Sequence, residues 1–208
     1  MKLSITNFGL YGILTDPVVG YEKLAAVMVD RGVPYIQLRM KRATADEVRK
    51  TALRLRKIIT GGSKLIINDH PKIARDVGAD GVHLGQDDIS YALARQILGD
   101  AAVIGLSTHN TAQVAAACAL LPTYIGAGPV FPTPTKAVPD PVIGLDGMAE
   151  MIEAADVPAV AIGGIDLTNV HEALRRGARN ICAVRCINNA EDPENVIDAL
   201  LAATREYL

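Results

Sequence analysis

The sequence predicts an α/β protein of the (β/α)8 TIM-barrel class. Two observations lead to this fold. Short apolar runs alternate with longer amphipathic segments eight times along the chain, and eight consecutive βα units favour a closed parallel barrel over an open sheet. The apolar residues are mostly Ala, Val, Ile and Leu with few aromatic residues, which is typical of buried parallel strands. No linker or change in composition divides the chain, so one domain is expected over residues 1–208.

Each element has a local signal. Strands are predicted at 10–14, 35–38, 65–67, 81–84, 103–106, 124–127, 159–162 and 181–184. Helices are predicted at about 20–31, 44–59, 73–77, 89–98, 111–120, 145–155, 169–176 and 193–207. The second helix begins with Thr44 and has Glu47 three residues later, which is a capping-box pattern. Gly32, Gly78 and Gly177 stand where left-handed C-terminal caps are needed before the next strand.

Composition excludes several classes of function. Net charge is −2 and no basic cluster marks a nucleic-acid surface. No apolar stretch is long enough to cross a membrane, and the first residues lack the apolar run of a signal peptide. Cys118, Cys182 and Cys186 lack zinc-ligand spacing and are expected to be reduced core residues. The sequence therefore indicates a cytoplasmic protein that binds small molecules and neither nucleic acid nor membrane, with a homo-oligomer left open.

Cationic residues follow the second predicted strand. Gln37, Arg39 and Lys41 lie at i, i+2 and i+4, so their side chains share one face while the chain is extended. In barrel enzymes the site is built at the carboxyl ends of the strands. Arg39 can hold a phosphate with two hydrogen bonds and Lys41 adds a point charge. The alternative is a surface salt bridge.

Acidic residues follow the third and fourth strands. Asn68 and Asp69 come after one, and Asp87 and Asp88 after the other. Carboxylates beside a phosphate site are the usual ligands of Mg²⁺, which keeps water and phosphate oxygens as further ligands. An aspartate after a strand is also often a helix N-cap. We expect Asp87 to be that cap and Asp69 and Asp88 to hold the metal.

A second anion-binding area is predicted across strands six to eight. The loop over residues 126–136 is stiffened by three prolines and ends at Lys136, whose ammonium group suits an anionic substrate. Gly163 and Gly164 end the seventh strand and, with the loop after the eighth, form a phosphate cup. The alternative for the loop is a proline-rich surface connector, and the alternative for the glycine pair is a tight βα turn. Two such areas indicate the joining of two phosphorylated molecules or transfer of a group from a diphosphate.

Two histidines fall within or directly after predicted strands. His83 falls within a predicted strand and is expected to be a hydrogen-bonded interior residue. His109 follows the fifth strand at the predicted mouth, where a proton-transfer or hydrogen-bonding role is open.

The ordered set of strand-end motifs resembles the thiamine-phosphate synthase family. These motifs span nearly the whole chain: QLRMK at 37–41, ND at 68–69, GVHLGQ at 81–86, STH at 107–109, GAGPVFPTPTK at 126–136 and AIGGI at 161–165. The resemblance implies a Mg²⁺-dependent transferase of a pyrimidinylmethyl group. Such an enzyme couples hydroxymethylpyrimidine diphosphate to thiazole phosphate, or to its carboxylated form, and releases diphosphate and, in the second case, CO2.

The resemblance also implies site residues. Those expected to bind the pyrimidine diphosphate are Gln37, Leu38, Arg39, Met40, Lys41, Asn68, Ser107 and Lys136. Among these, Arg39, Lys41, Ser107 and Lys136 are expected to act in catalysis. Those expected to bind the thiazole phosphate are Thr133, Pro134, Thr135, Gly164, Val184 and Arg185. Asp69 and Asp88 are the implied Mg²⁺ ligands.

Two residues depart from the family pattern. Arg185 stands where the family usually has serine, and His70 stands where it often has arginine or another polar residue. Two alternatives share the barrel: a thiazole tautomerase, which aromatises the thiazole without coupling it, and a non-catalytic barrel that senses thiamine precursors or phosphate. The tautomerase does not need the diphosphate and metal residues, so their presence favours the synthase.

Overall fold

The computed structural model of the chain describes residues 7–133 and 141–208. Eight parallel strands close into a barrel in the order β1 to β8. The strands are β1 (Gly9–Leu14), β2 (Tyr35–Leu38), β3 (Lys64–Asn68), β4 (Gly81–Leu84), β5 (Val103–Thr108), β6 (Tyr124–Ala127), β7 (Ala159–Ile162) and β8 (Asn180–Cys182). The prediction of a (β/α)8 barrel is therefore confirmed, while the assignment of residues 1–208 to one domain stays a prediction.

Helices surround the strands. In the described part of the chain they are α1 (Tyr21–Asp30), α2 (Ala45–Ile58), α3 (Pro71–Asp76), α4 (Tyr91–Leu98), α5 (Thr111–Cys118), α6 (Gly144–Ala154), α7 (Val170–Arg175), α8 (Val184–Asn188) and α9 (Pro193–Arg205). None of the helices in 7–133 and 141–208 is long and apolar enough to cross a membrane.

The helix ends largely follow their sequence signals. The Glu47 N–H donates to the Thr44 hydroxyl at 3.3 Å, and the Glu47 carboxylate accepts from the Thr44 N–H at 2.7 Å. Gly32, Gly78 and Gly177 all have positive φ, as predicted for left-handed caps. The N-cap prediction for Asp87 is wrong, because the hydroxyl of Ser90 caps α4 by accepting the Leu93 N–H.

The end of the eighth strand also differs from the prediction. The strand stops at Cys182, and residues 184–188 form the short helix α8. This segment reads Val-Arg-Cys-Ile-Asn, which is too short to show a helical period and is rich in residues that favour strands. As a result, Val184 lies at the start of a helix and not on the strand.

Strand residues alternate between two cores. On β1, Leu10 and Leu14 are fully buried against the surrounding helices, whereas Tyr11 and Ile13 point into the barrel. The interior also holds Tyr124, whose ring centroid lies 5.2 Å from that of Tyr11. These rings fill the barrel interior below the carboxyl ends of the strands and form the floor of the cavity above them.

Candidate active site at the barrel mouth

A cavity of about 810 Å³ opens at the carboxyl ends of the strands. Its wall includes most of the predicted site residues: Gln37, Arg39, Lys41, Asn68, Asp69, Asp88, Ser107, Thr133, Gly164, Val184 and Arg185. Leu38 and Met40 are not among its lining residues, because their side chains pack into the core between barrel and helices. Pro134, Thr135 and Lys136 lie outside the described residues.

Lys41, Asp69 and Asp88 form a charged cluster on the β2–β4 side. The Lys41 ammonium nitrogen lies 2.5 Å from the Asp69 carboxylate. Asp69 follows β3 with φ of 62°, a left-handed conformation that aspartate tolerates better than most residues, and its N–H donates to the His83 carbonyl at 2.9 Å. Asp88 accepts the Gly85 N–H at 2.6 Å. Backbone contacts with the fourth strand and its loop therefore help to hold both carboxylates.

The two carboxylates are close enough to influence the pKa of each other. Burial raises the pKa of Asp69, and the neighbouring Asp88 adds to this effect against the opposing charge of Lys41. Burial also acts to raise the pKa of Asp88, but hydrogen bonds from Asp69 and the Gly85 N–H outweigh it and lower that pKa. Such a pair is stabilised by a shared proton or by a cation between the oxygens.

These oxygens fit a hard divalent cation. The described residues contain no group of three or more His, Cys, Asp or Glu side chains that could enclose a metal. Asp69 and Asp88 would therefore supply only part of a coordination shell, and Asn68 lies next to them at the end of β3. This donor set suits an ion that completes its shell with water and substrate phosphate oxygens.

Arg39 provides a further cation at the cavity wall. Its side chain is half-buried, and burial lowers the pKa of its guanidinium while the carboxylates of Asp69 and Asp16 act in the opposite direction. Among the described residues, the Arg39 guanidinium makes no ion pair with a carboxylate, whereas the Lys41 ammonium group pairs with Asp69. Its planar set of donors is thus directed to a cavity that can receive an anion.

A chain of hydrogen bonds crosses the cavity floor. The Gln37 amide donates to the Tyr11 hydroxyl at 2.9 Å, and the hydroxyl oxygens of Tyr11 and Tyr124 are 2.6 Å apart. His83 bridges onward, with Nδ1 3.1 Å from the Tyr124 hydroxyl and Nε2 2.9 Å from the Ser107 hydroxyl. The expectation that His83 is a hydrogen-bonded interior residue is confirmed. These hydrogen bonds also fix the Gln37 amide and the Ser107 hydroxyl at the cavity floor.

Tyr11 and Tyr124, which take part in these hydrogen bonds, were not predicted as site residues from the sequence. A signal was present, because Tyr11 lies two residues before Ile13 on a strand that otherwise reads as apolar. Alternation places both side chains on the barrel interior. Tyr124 is placed beside Tyr11 only by closure of the barrel, which sequence spacing does not show.

The proline-rich loop continues the pairing of β6 and β7. The Val130 N–H donates to the Ile162 carbonyl and the Phe131 N–H to the Gly163 carbonyl, both at 2.9 Å. The described part of this loop is therefore held by backbone hydrogen bonds to the adjacent strand end. His109 joins it too, since its Nδ1 lies 2.6 Å from the carbonyl oxygen of Gly128, which can only accept a hydrogen. A proton-transfer role for His109 stays a prediction.

The glycine pair after β7 packs directly under this loop. Gly163 and Gly164 have φ of 103° and 67°. A Cβ atom on Gly163 would lie 2.5 Å from the Pro129 Cα, and one on Gly164 would lie 2.7 Å from the Phe131 Cβ. The pair is thus required by backbone conformation and by the neighbouring loop, in addition to the approach of a ligand that the sequence suggested.

Gly164→Ala should therefore cost more stability than an alanine at a left-handed glycine in open space. Gly61 is the matched control, with φ of 64° and no atom within 4 Å of an added Cβ. We expect Gly61→Ala to lose about 1 kcal/mol from backbone strain and Gly164→Ala about 3 kcal/mol, since overpacking adds to the strain. Urea denaturation measures both, and equal losses would show that contact with Phe131 carries no cost.

Arg185 lies across the barrel from the acidic pair. It is an exposed residue of α8, which follows β8, whereas Asp88 follows β4, four strands away in the closed barrel. Gly164 and Thr133 line the same cavity from the loops after β7 and β6. The structure therefore brings two polar areas to opposite arcs of one mouth.

A (β/α)8 barrel with cations, paired carboxylates and a glycine turn around one mouth belongs to the class of phosphate-binding barrels. The sequence profile of the thiamine monophosphate synthase family matches residues 12–187. The chain belongs to that family.

Individual relatives agree with this assignment. The chain is 41% identical over 186 residues to thiamine-phosphate synthase of Caldicellulosiruptor bescii, covering 89% of this chain and 85% of the relative. It is 42% identical over 207 residues to the thiamine-phosphate synthase of Pelotomaculum thermopropionicum, with 93% and 94% covered. Thiamine phosphate pyrophosphorylase from Pyrococcus furiosus has a solved structure that matches with a TM-score of 0.86 at 30% identity, covering 97% of each chain.

Proposed function

We propose that this chain couples hydroxymethylpyrimidine diphosphate to thiazole phosphate, or to its carboxylated form, and so makes thiamine phosphate. Diphosphate is released, together with CO2 from the carboxylated substrate. One observation carries the proposal: Arg39, Lys41 and the Asp69–Asp88 pair converge on one arc of a cavity whose opposite arc holds Gly164 and Arg185. A site with two such areas can hold two phosphorylated molecules. The names of the relatives support the same activity.

The β2–β4 arc is assigned to the diphosphate. Arg39 and Lys41 bind its oxygens and stabilise the negative charge that grows as it departs. Lys136, outside the described residues, is proposed to add a third cation. Gln37 and Ser107 are held by the hydrogen-bond chain on the cavity floor, where they can orient the aminopyrimidine ring. The β2–β4 arc thus holds the leaving group at the cavity wall, and the floor holds the reacting pyrimidine ring.

The reaction needs no side-chain nucleophile. The bond between the pyrimidine methylene carbon and the diphosphate oxygen breaks, and its electron pair leaves with the diphosphate. Electron release from the amino group stabilises the resulting cation. The thiazole nitrogen then donates its lone pair to form the new C–N bond. The contribution of this chain is to orient both rings and stabilise the leaving group.

Mg²⁺ is the proposed cofactor, and Asp69 and Asp88 are the residues that would hold it. When bound, it would neutralise part of the diphosphate charge. The contact of Lys41 with Asp69 places a cation beside the same oxygens. The thiazole phosphate is assigned to the opposite arc, with Thr133, Gly164, Val184 and Arg185. Pro134 and Thr135, outside the described residues, are proposed to bind the same phosphate.

The test is incubation of the purified chain with both substrates and Mg²⁺, followed by chromatography for thiamine phosphate and diphosphate. Equal amounts of the two products are expected, with little product when Mg²⁺ is removed by a chelator. Isothermal titration of the pyrimidine diphosphate with and without Mg²⁺ distinguishes the alternatives. Tight binding that is independent of metal and gives no turnover would indicate a sensor. No binding of the diphosphate, with aromatisation of the carboxylated thiazole, would indicate a tautomerase.

A further inference from the structure

The pairing between the first and last strands, here called the seam, ends before it reaches the barrel mouth. β1 runs from Gly9 to Leu14, but it pairs with β8 only at Gly9–Asn180 and Leu10–Ile181. Above this point β8 ends and the chain turns into α8. The mouth end of β1 therefore lacks a paired strand on this side, where Val184 and Arg185 line the cavity.

The side chain of Asn188 closes this gap. Its amide nitrogen donates to the carbonyl of Ile13 at 2.7 Å and to that of Val184 at 2.8 Å. Its amide oxygen accepts the Thr15 N–H at 2.9 Å, and its own carbonyl accepts the Val18 N–H at 2.9 Å. Asn188 is only 2% exposed, so solvent has little access to replace these hydrogen bonds.

These bonds add a polar anchor to a short helix that Ile187 otherwise holds by apolar packing. Ala183 is the N-cap residue and makes no capping hydrogen bond. Asn188 ties the Val184 carbonyl, in the first turn, to the end of β1. Movement of that first turn would move Val184 and Arg185 at the cavity wall.

We infer that Asn188 is a positioning residue for the thiazole-phosphate side of the site. It acts by fixing α8 against the end of β1, and it does not itself line the cavity. The inference rests on the proposed function, which assigns Val184 and Arg185 to that substrate. It requires that loss of the Asn188 hydrogen bonds affect the thiazole phosphate and leave the pyrimidine diphosphate, bound across the barrel, largely unaffected.

The same seam contains a matched control at its other end. Asn180 is 1% exposed and also makes three side-chain hydrogen bonds: it accepts from the N–H groups of Phe8 and Gly9 at 2.6 and 3.2 Å, and it donates to the carbonyl of Ala159 at 3.1 Å. It lies at the start of β8, away from the mouth. Asn180→Leu and Asn188→Leu therefore each remove three side-chain hydrogen bonds of a buried asparagine.

The experiment measures KM for each substrate in the full-length chain and its two variants. Asn188→Leu should raise KM for the thiazole phosphate about tenfold, because small displacements of positioning groups have large kinetic effects. Its KM for the pyrimidine diphosphate should stay within about twofold of the wild-type value, because the contacts to that substrate are unchanged. Asn180→Leu should lower the thermal midpoint to a similar degree and change neither KM. Should Asn188→Leu fail to fold, Asn188→Ser, which replaces the amide by a shorter hydroxyl group, must show the same one-sided change.

Hydrogen exchange provides a readout that needs no substrate. The amides of residues 184–188 should exchange faster in Asn188→Leu and not in Asn180→Leu. Unchanged exchange there, or equal changes in both KM values, would overturn the inference while thiamine phosphate formation by the wild-type chain still upheld the proposed function. If the wild-type chain makes no thiamine phosphate, the proposed function itself fails, whatever the exchange result.

Discussion

Replacing Asp88 or Asp69 by asparagine is expected to lower kcat for thiamine phosphate formation by at least about a hundredfold, because each removes an anionic oxygen from the proposed metal site. The fold should survive either change. Asparagine keeps the shape of the side chain, and at position 88 it keeps an oxygen that can accept the Gly85 N–H. Replacing either aspartate by a neutral residue also removes the repulsion between the two carboxylates, so stability should not fall greatly.

Asp87→Asn is the matched control for this result. Asp87 is exposed and is not among the residues that line the cavity, although it is adjacent to Asp88 in sequence. Its kcat should remain within about twofold of the wild-type value. The measurements are initial rates across a Mg²⁺ titration, with circular dichroism melting for each variant. Full coupling activity in Asp69→Asn or Asp88→Asn would remove that residue from the metal site.

The gathering of the site residues was predictable because it depends on topology alone. In a parallel barrel the carboxyl ends of all strands meet at one rim, so residues that follow different strands converge without any knowledge of side-chain packing. Arg39, Asp69, Asp88 and Ser107 follow or end four different strands and line one cavity. Any error of one or two residues in strand bounds leaves this convergence intact.

Side-chain direction within the 37–41 motif was predictable from its spacing, whereas the resemblance does not distinguish the two faces. The resemblance assigned the whole run to the substrate. Alternation along an extended chain sends every second side chain away from the barrel axis, and it is Leu38 and Met40 that pack outward. Gln37, Arg39 and Lys41 point to the cavity, as their i, i+2, i+4 spacing had indicated.

Contacts between distant segments could not be predicted from the sequence. The left-handed backbone of Asp69 is supported by a bond to β4, and the glycine pair after β7 is constrained by the loop after β6. The link from Asn188 to Ile13 joins residues 175 positions apart. Each depends on which elements become neighbours when the barrel closes, and no local periodicity reports that.

The largest effect of a single cation is expected at Arg39. Arg39→Met removes the charge and keeps much of the apolar stem, and kcat/KM for the pyrimidine diphosphate should fall about a thousandfold, because the leaving group loses a preorganised cation. Arg39→Lys should recover about tenfold of this loss, since it restores the charge without the paired donors that match a phosphate. Arg42→Ala is the control, because Arg42 is exposed and is not among the cavity-lining residues.

Stability should respond in the opposite direction to activity. The Arg39 guanidinium is half-buried, and among the described residues no carboxylate forms an ion pair with it, so the free protein bears a desolvation cost that binding of an anion relieves. The thermal midpoint of Arg39→Met should therefore equal or exceed that of the wild type, and pyrophosphate should stabilise the wild type more than the variant. A marked fall in the midpoint of Arg39→Met would instead mean that Arg39 supports the fold, and normal kcat/KM would mean that the diphosphate lies elsewhere. Activity lost with stability kept is the pattern expected of a cation retained for its ligand.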